Sequence, residues 1–187
     1  MKALAAIGIK KAIRYVWYTW YAWLIHVSLP PVRVFLMRLA GCRVGNDTVI
    51  GDVRFINLYH YGFSRLRIGN RCFLGDEVLL DVRGGITLQD DATLSHRVNI
   101  VTHINVGYAD HPLQKHFPTK EAPVTVAEGV YIGTGAIVLP GVTLGEKSTI
   151  GAGSVVTKSL PSSVVAVGVP ARVIRKIGYS AGAAKSA

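Results

Sequence analysis

Six histidines stand in the 187-residue chain: His26, His60, His96, His103, His111 and His116. Imidazole ordinarily titrates near pH 6.5, so these are the candidates for a general base at neutral pH. Neutral imidazole also binds zinc, and His111 and His116 are five residues apart. They share a stretch, 105–123, with Tyr108, Asp110, Pro112, Lys115 and Pro118. His26 lies in an aromatic, basic N-terminal segment and reads as interfacial. His60 and His96 fall inside repeat units, where a solvated or packed ring is the ordinary reading. Cys42 and Cys72 form neither a CxxC pair nor a disulfide framework, which favours a reducing compartment.

Any such group must be held by something, and a period of six supplies it. Stepping from Val44 gives Val44, Ile50, Ile56, Gly62, Ile68, Leu74, Leu80, Ile86, Ala92, Val98 and Ile104, all aliphatic except Gly62 and usually followed by a small or polar residue. The period returns as Val126, Ile132, Val138, Leu144, Ile150 and Val156. No helix and no ordinary alternating strand makes this pattern; it predicts a parallel β-helix, an all-β solenoid. Each anchor points inward and stacks on the anchor one coil away. Three units make a triangular coil of about 18 residues, stabilised by its neighbours. From Ile104 to Val126 the phase breaks, so one loop leaves the coil within 105–123. A long excursion from a rigid scaffold is more often functional than decorative.

Half of the residues are apolar, the net charge is +10, and charged residues make up only 17%. This excludes a disordered chain and a many-span membrane protein. The charge is lopsided. Residues 1–43 carry Lys2, Lys10, Lys11, Arg14, Arg33, Arg38 and Arg43, and the first carboxylate is Asp47. A near-neutral body with a basic arm argues against a nucleic-acid-binding surface. The arm holds Tyr15, Trp17, Tyr18, Trp20, Tyr21 and Trp23 before Pro30-Pro31. Its apolar stretch is too short to span a bilayer, and aromatic rings beside cations suit the lipid interface. Residues 1–40 therefore read as one or two amphipathic helices on a membrane surface, with packing on the body or on a neighbouring subunit as the rival reading. The chain divides into a leader (1–43), a solenoid (44–177) and a flexible tail (178–187).

Across 44–177 the sequence resembles the hexapeptide-repeat acyltransferases, the left-handed β-helix family. The most specific part is APVTVAEGVYIGTGAIVLPGVTLGEKSTIGAGSVVTKSLPSSVVAVGVPARVIRKIG, similar to the maltose, galactoside and lipopolysaccharide O-acetyltransferase branch down to GVPARVIR. The resemblance implies a homotrimer with each active site between two subunits, and acetyl-CoA as acyl donor. Its general base maps, through NIVTHINV, onto His103. A backbone N–H at Thr134 would meet the oxyanion. Tyr131, Thr134, Ala152 and Thr157 match the lining of the pantetheine channel, and Lys158, Arg172 and Lys176 are the cations for the CoA phosphates. The chain departs from the family's THxH (here THIN), from VWIG (here VYIG) and from its acceptor asparagine, where Gly75 falls. That leaves Asp81, Asp76 and His111 as candidates for contacting the acceptor.

The reading is an acetyl-CoA-dependent O-acetyltransferase acting on a sugar hydroxyl of an envelope polysaccharide or its lipid-linked precursor. It would be cytoplasmic and peripheral on the inner membrane face, with no resident metal. Three alternatives stay open: N-acyl transfer to an amino sugar, a zinc hydratase of the γ-carbonic-anhydrase type built on the same fold, and a non-catalytic trimeric scaffold on membranes.

Overall fold

A computed structural model describes residues 8–178. Residues 1–7 of the expected leader and 179–187 of the expected tail lie outside the described residues. The leader folds as helix α1 (Ile9–Val27) and helix α2 (Pro30–Leu39). The prolines open α2: in a first turn a missing N–H costs nothing, and the fixed φ suits the helix. One side of the leader is packed. Tyr21, Ile25 and Met37 are buried in the same core as Cys42, Ile50 and Leu66. The other side leaves Ile13, Trp17, Trp20, Trp23 and Phe35 exposed. Among the described residues, no helix is long and apolar enough to cross a membrane.

Arg33 ties the leader down. Its side chain is buried, and it donates to the carbonyls of Ile25 (3.0 Å), His26 (3.0 Å) and Ser28 (2.7 Å) at the end of α1. It also donates to those of Ile50 (3.0 Å) and Gly51 in the first coil. A helix C-terminus leaves carbonyls without partners, and here one guanidinium satisfies them while joining helix to solenoid. His26, near the end of α1, places its Nδ1 2.5 Å from Asp52 of the first coil.

The body is three parallel sheets wound into about five coils. Val44, Ile68, Leu88, Val126 and Leu144 stack in the first sheet. Ile50, Leu74, Leu94, Ile132, Ile150 and Ala166 stack in the second. Phe55, Leu80, Ile100, Val138 and Val156 stack in the third. The six-residue frame holds through the later coils, where every anchor from Val126 to Val156 is buried.

In the first half the frame is interrupted three times, not once. Successive steps in the first sheet, Val44 to Ile68 to Leu88 to Val126 to Leu144, are 24, 20, 38 and 18 residues. The step of 24 contains an inserted helix, α3 (Leu58–Tyr61), entered through Asn57 in the left-handed region (φ 65°). The insertion is one unit long, so the period reads straight through it. Ile56 and Gly62 pass for anchors, yet Phe55, not the exposed Ile56, pairs with Leu80. At Gly62 (φ +60°) a side chain would collide with the Tyr18 hydroxyl of α1, so only glycine fits.

The step of 20 hides two extra residues around Val82–Gly85. Strand side chains alternate with period two, so Ile86 and Leu88 both face inward, and a slip of two leaves an apolar residue at every expected position. Ile86, Ala92 and Val98 are buried, but Leu88, Leu94 and Ile100 carry the stack. The step of 38 contains the protruding loop. It leaves through an antiparallel stem, His103–Ile104 against Lys120–Glu121, which is why Ile104 is exposed rather than an anchor.

Candidate active site

Asp81 ends the strand Val78–Asp81 and is completely buried. Its Oδ1 accepts from Asn57 Nδ2 (2.8 Å) and its Oδ2 from the Thr102 N–H (2.9 Å). The same Oδ2 lies 2.5 Å from His103 Nδ1. A carboxylate only accepts, so the ring proton sits on Nδ1 and Nε2 keeps its lone pair. Burial alone would push the Asp81 carboxyl up. The hydrogen bonds from His103, Asn57 and Thr102 outweigh it and hold the group below the ordinary carboxylate value, so it is ionised at neutral pH.

The backbone around this pair is braced. The Thr102 hydroxyl donates to the Asp81 carbonyl (2.6 Å) and accepts from the Gly84 N–H (2.8 Å). A Cβ at Gly84 would run into the Thr102 carbonyl, so the two-residue insertion needs glycine there. Across the stem, Glu121 is the register partner of His103. Arg83 Nε (2.8 Å) and Arg65 Nη1 (3.1 Å) both donate to Glu121, and Arg65 lies 3.4 Å from the centre of the Tyr61 ring. Burial raises the Glu121 carboxyl, and the two guanidiniums more than reverse that.

Asp81 therefore cannot touch an acceptor: it is shielded from solvent, and both of its oxygens are used. Its place is behind the imidazole. His111 does not orient His103 either. Its Nδ1 accepts from the Leu113 N–H within its own loop turn (3.1 Å), and the orienting partner is Asp81.

The other expected residues fall on two different edges of the prism. Thr134 lies between a second-sheet strand (Tyr131–Ile132) and a third-sheet strand (Ile137–Val138). Ala152 is one coil on, where the Gly153 N–H donates to the Thr134 carbonyl (2.9 Å). Asp76 shares that edge, holding the Asp52 N–H through Oδ1 (3.0 Å). His103 stands where the third sheet hands over to the first, and Thr157 and Lys158 follow the third-sheet strand Val155–Val156 at the same kind of edge. Tyr131 is half exposed and its hydroxyl meets Ser95 Oγ (3.0 Å). Arg172 is exposed on the closing strand Arg172–Lys176. One chain thus carries the base and the expected oxyanion donor on separate edges, and Asp76 with the donor rather than with the base.

Among the described residues, no three His, Cys, Asp or Glu side chains converge as a metal-holding group. Sequence reasoning did not find Asn57, His60, Arg65, Arg83 or Glu121. The first two sit in an insertion that imitates a repeat, and the others gain meaning only through a stem that pairs residues far apart in sequence.

Comparison with known proteins identifies the family and the fold. Residues 123–158 match the family described as bacterial transferase hexapeptide (six repeats), and residues 65–95 match the hexapeptide repeat of succinyl-transferase. Over 144 residues the chain is 37% identical to a protein named as a colanic acid biosynthesis acetyltransferase, WcaF of Escherichia coli K12, covering 77% of this chain and 74% of that protein. The crystal structure of a maltose O-acetyltransferase from Clostridium difficile 630 superposes with a TM-score of 0.75 at 28% identity, covering 93% of this chain and 91% of that one. A galactoside acetyltransferase in complex with coenzyme A gives 0.70 at 29% identity, covering 92% and 84%. The solenoid is the left-handed β-helix of these enzymes, and the chain belongs to the hexapeptide-repeat acetyltransferases.

Proposed function

We propose that this protein moves an acetyl group from acetyl-CoA to a sugar hydroxyl of an envelope polysaccharide or its lipid-linked precursor, with His103 as general base. The observation that carries this is the buried Asp81 carboxylate on His103 Nδ1, which leaves Nε2 as a proton acceptor at a surface edge. His103 Nε2 takes the hydroxyl proton while the sugar oxygen bonds to the thioester carbonyl carbon. The imidazolium is balanced by Asp81, and the tetrahedral oxyanion needs a fixed N–H. When the carbon–sulfur bond breaks, His103 returns the proton to the sulfur, giving an acetyl ester and free thiol. The donor fits what the chain offers: small residues at Thr134 and Ala152 along one edge, and exposed cations at Lys158 and Arg172 for phosphates.

Because His103 and Thr134 occupy different edges, a complete site takes one edge from each of two neighbouring copies, which favours the trimer. His103→Ala lowers kcat about 10²–10⁴-fold in an acetyl-transfer assay, within the usual range for losing a general base. Mixing His103→Ala subunits with Thr134→Pro subunits restores part of the activity, because some shared sites then contain both intact residues. Wild-type turnover by His103→Ala defeats the mechanism, and absence of rescue defeats the shared site.

The leader's outward face favours a peripheral position on the inner face of the cytoplasmic membrane. Tryptophan rings on that face suit the headgroup region, and an arm with no carboxylate before Asp47 suits anionic lipid. The protein is expected to float with phosphatidylglycerol vesicles and not with phosphatidylcholine vesicles, and Trp20→Ser with Trp23→Ser should abolish flotation.

A further inference from the structure

The inserted helix α3 is not required by the solenoid, whose later coils close in 18 residues without it. It stands beside the reacting edge. Asn57, at its start, holds Asp81 (2.8 Å), and Arg65, just after it, holds Glu121 across from His103. Helix α1 docks on it from the other side. Arg14 Nη2 donates to the His60 carbonyl (3.0 Å), Tyr15 meets Tyr59 edge-on with ring centres 5.5 Å apart, and the Tyr18 hydroxyl lies against Gly62. Lys11, Arg14, Tyr15 and Tyr18 are spaced i, i+3, i+4 and i+7, so they share one face of α1. Between the two helices and the first coil is a cleft of about 370 Å³, lined by Tyr15, Tyr18, Thr19, Phe55, Asn57 and Tyr59.

This cleft combines two chemistries. Aromatic faces with hydroxyl and amide groups at their margins are suited to a sugar ring, whose C–H face stacks while its hydroxyls find polar partners. Lys11 and Arg14 are not part of the cleft's lining but stand one turn before Tyr15 and Tyr18 on the same face of α1, and both are exposed. No carboxylate precedes Asp47, and no ion pair among the described residues neutralises Lys11 or Arg14. The nearby acids are engaged: Glu121 by Arg83 and Arg65, Asp81 by His103, Asn57 and Thr102. His60 Nε2 is buried without a hydrogen-bond partner among the described residues. Burial first, then the charges of Arg83, Lys11 and His103, hold His60 below the ordinary histidine value against the opposing pull of Glu121.

We infer that the α1–α3 cleft is the acceptor subsite, and that it selects a sugar bearing an anionic group, phosphoryl or carboxylate, which Lys11 and Arg14 bind while the ring lies on Tyr15 and Tyr59 next to His103. This rests on the acetyl-transfer reading above and narrows its substrate class. Two long cations can each contribute a charge-assisted contact to such a group, whereas a neutral sugar gains nothing from them.

The test uses the full chain at saturating acetyl-CoA with six acceptors: methyl galactoside and methyl glucoside, the corresponding 1-phosphates, and galacturonate and glucuronate. At least one anionic acceptor is expected to show a KM about tenfold or more below its neutral counterpart, and the phosphate and uronate arms tell which oxyanion is read. The variant Lys11→Gln, which leaves the Arg14 contact between α1 and α3 in place, should raise that KM about tenfold while the KM for acetyl-CoA and for the neutral glycoside stays put. Equal losses for neutral and anionic acceptors, or no preference in the wild type, overturn the inference. If no acceptor is acetylated, the transfer reading has failed on its own, and calorimetric titration with the same 1-phosphates and uronates decides the subsite. Binding by the wild type that Lys11→Gln weakens about tenfold supports the subsite, and no binding to any of them overturns it.

Discussion

At the residue scale, His103 is given its direction by Asp81. A histidine with a free Nδ1 could present either tautomer. A buried carboxylate that already receives Asn57 and Thr102 leaves one arrangement open, with Nε2 outward. Asp81→Asn keeps the shape and removes the charge that stabilises the imidazolium. It should lower kcat by about 10²–10³-fold with little change in the KM for acetyl-CoA, measured in steady-state transfer assays. The same residue leaves a mark on acid stability. Its folded-state pKa lies below the ordinary carboxylate value, so its stabilisation is complete above that value and is lost as pH falls through the depressed one. Denaturant melts from pH 6 downward should show Asp81→Asn losing less stability than wild type across that acid window.

At the element scale, the inserted helix and the leader are each tied to the solenoid by a few side chains. Helix α3 rests on Asn57, Arg65 and the glycine at 62, and α1 is held by Arg33. Replacing Arg33 by Met takes the donor away from the carbonyls of Ile50 and Gly51 beneath the leader, while the Ile25 carbonyl keeps the Ser28 N–H and hydroxyl. A buried polar group without a partner costs roughly 1–3 kcal/mol, so Arg33→Met should destabilise by about 2–4 kcal/mol. Thermal melting is expected to fall by about 5–10 °C. Since α1 forms one wall of the cleft at α3, the variant should also weaken acceptor binding before it weakens donor binding.

At the scale of the whole molecule, leader and coils share one apolar core. Cys42, at the end of the leader, and Cys72, in the second coil, are both buried in it. Burial pushes the Cys42 thiol up to about 12 and raises Cys72 as well, so neither forms thiolate near neutrality. Native protein at pH 8 should resist iodoacetamide over hours, and both thiols should label together once denaturant unfolds the core. Labelling of Cys42 alone in native conditions would mean that the leader detaches from the solenoid.

How much of this was legible beforehand follows from what a period can and cannot encode. Inward side chains repeat along the chain because each coil is covered by the next, so Val126 to Val156 announced a solenoid by spacing alone, and the family likeness pointed to His103. The same regularity concealed α3, because an insertion of one unit keeps the phase, and it concealed the slip before Ile86, because both inward positions of a short strand are apolar. The role of Asp81 was also out of reach. It depends on Asn57 and His103, 24 residues before it and 22 after, arriving at one point, a convergence set by the lengths of two irregular coils. Local periodicity is written in consecutive residues, whereas a hydrogen-bonded site is written in distances between coils, and those exist only once the chain has wound.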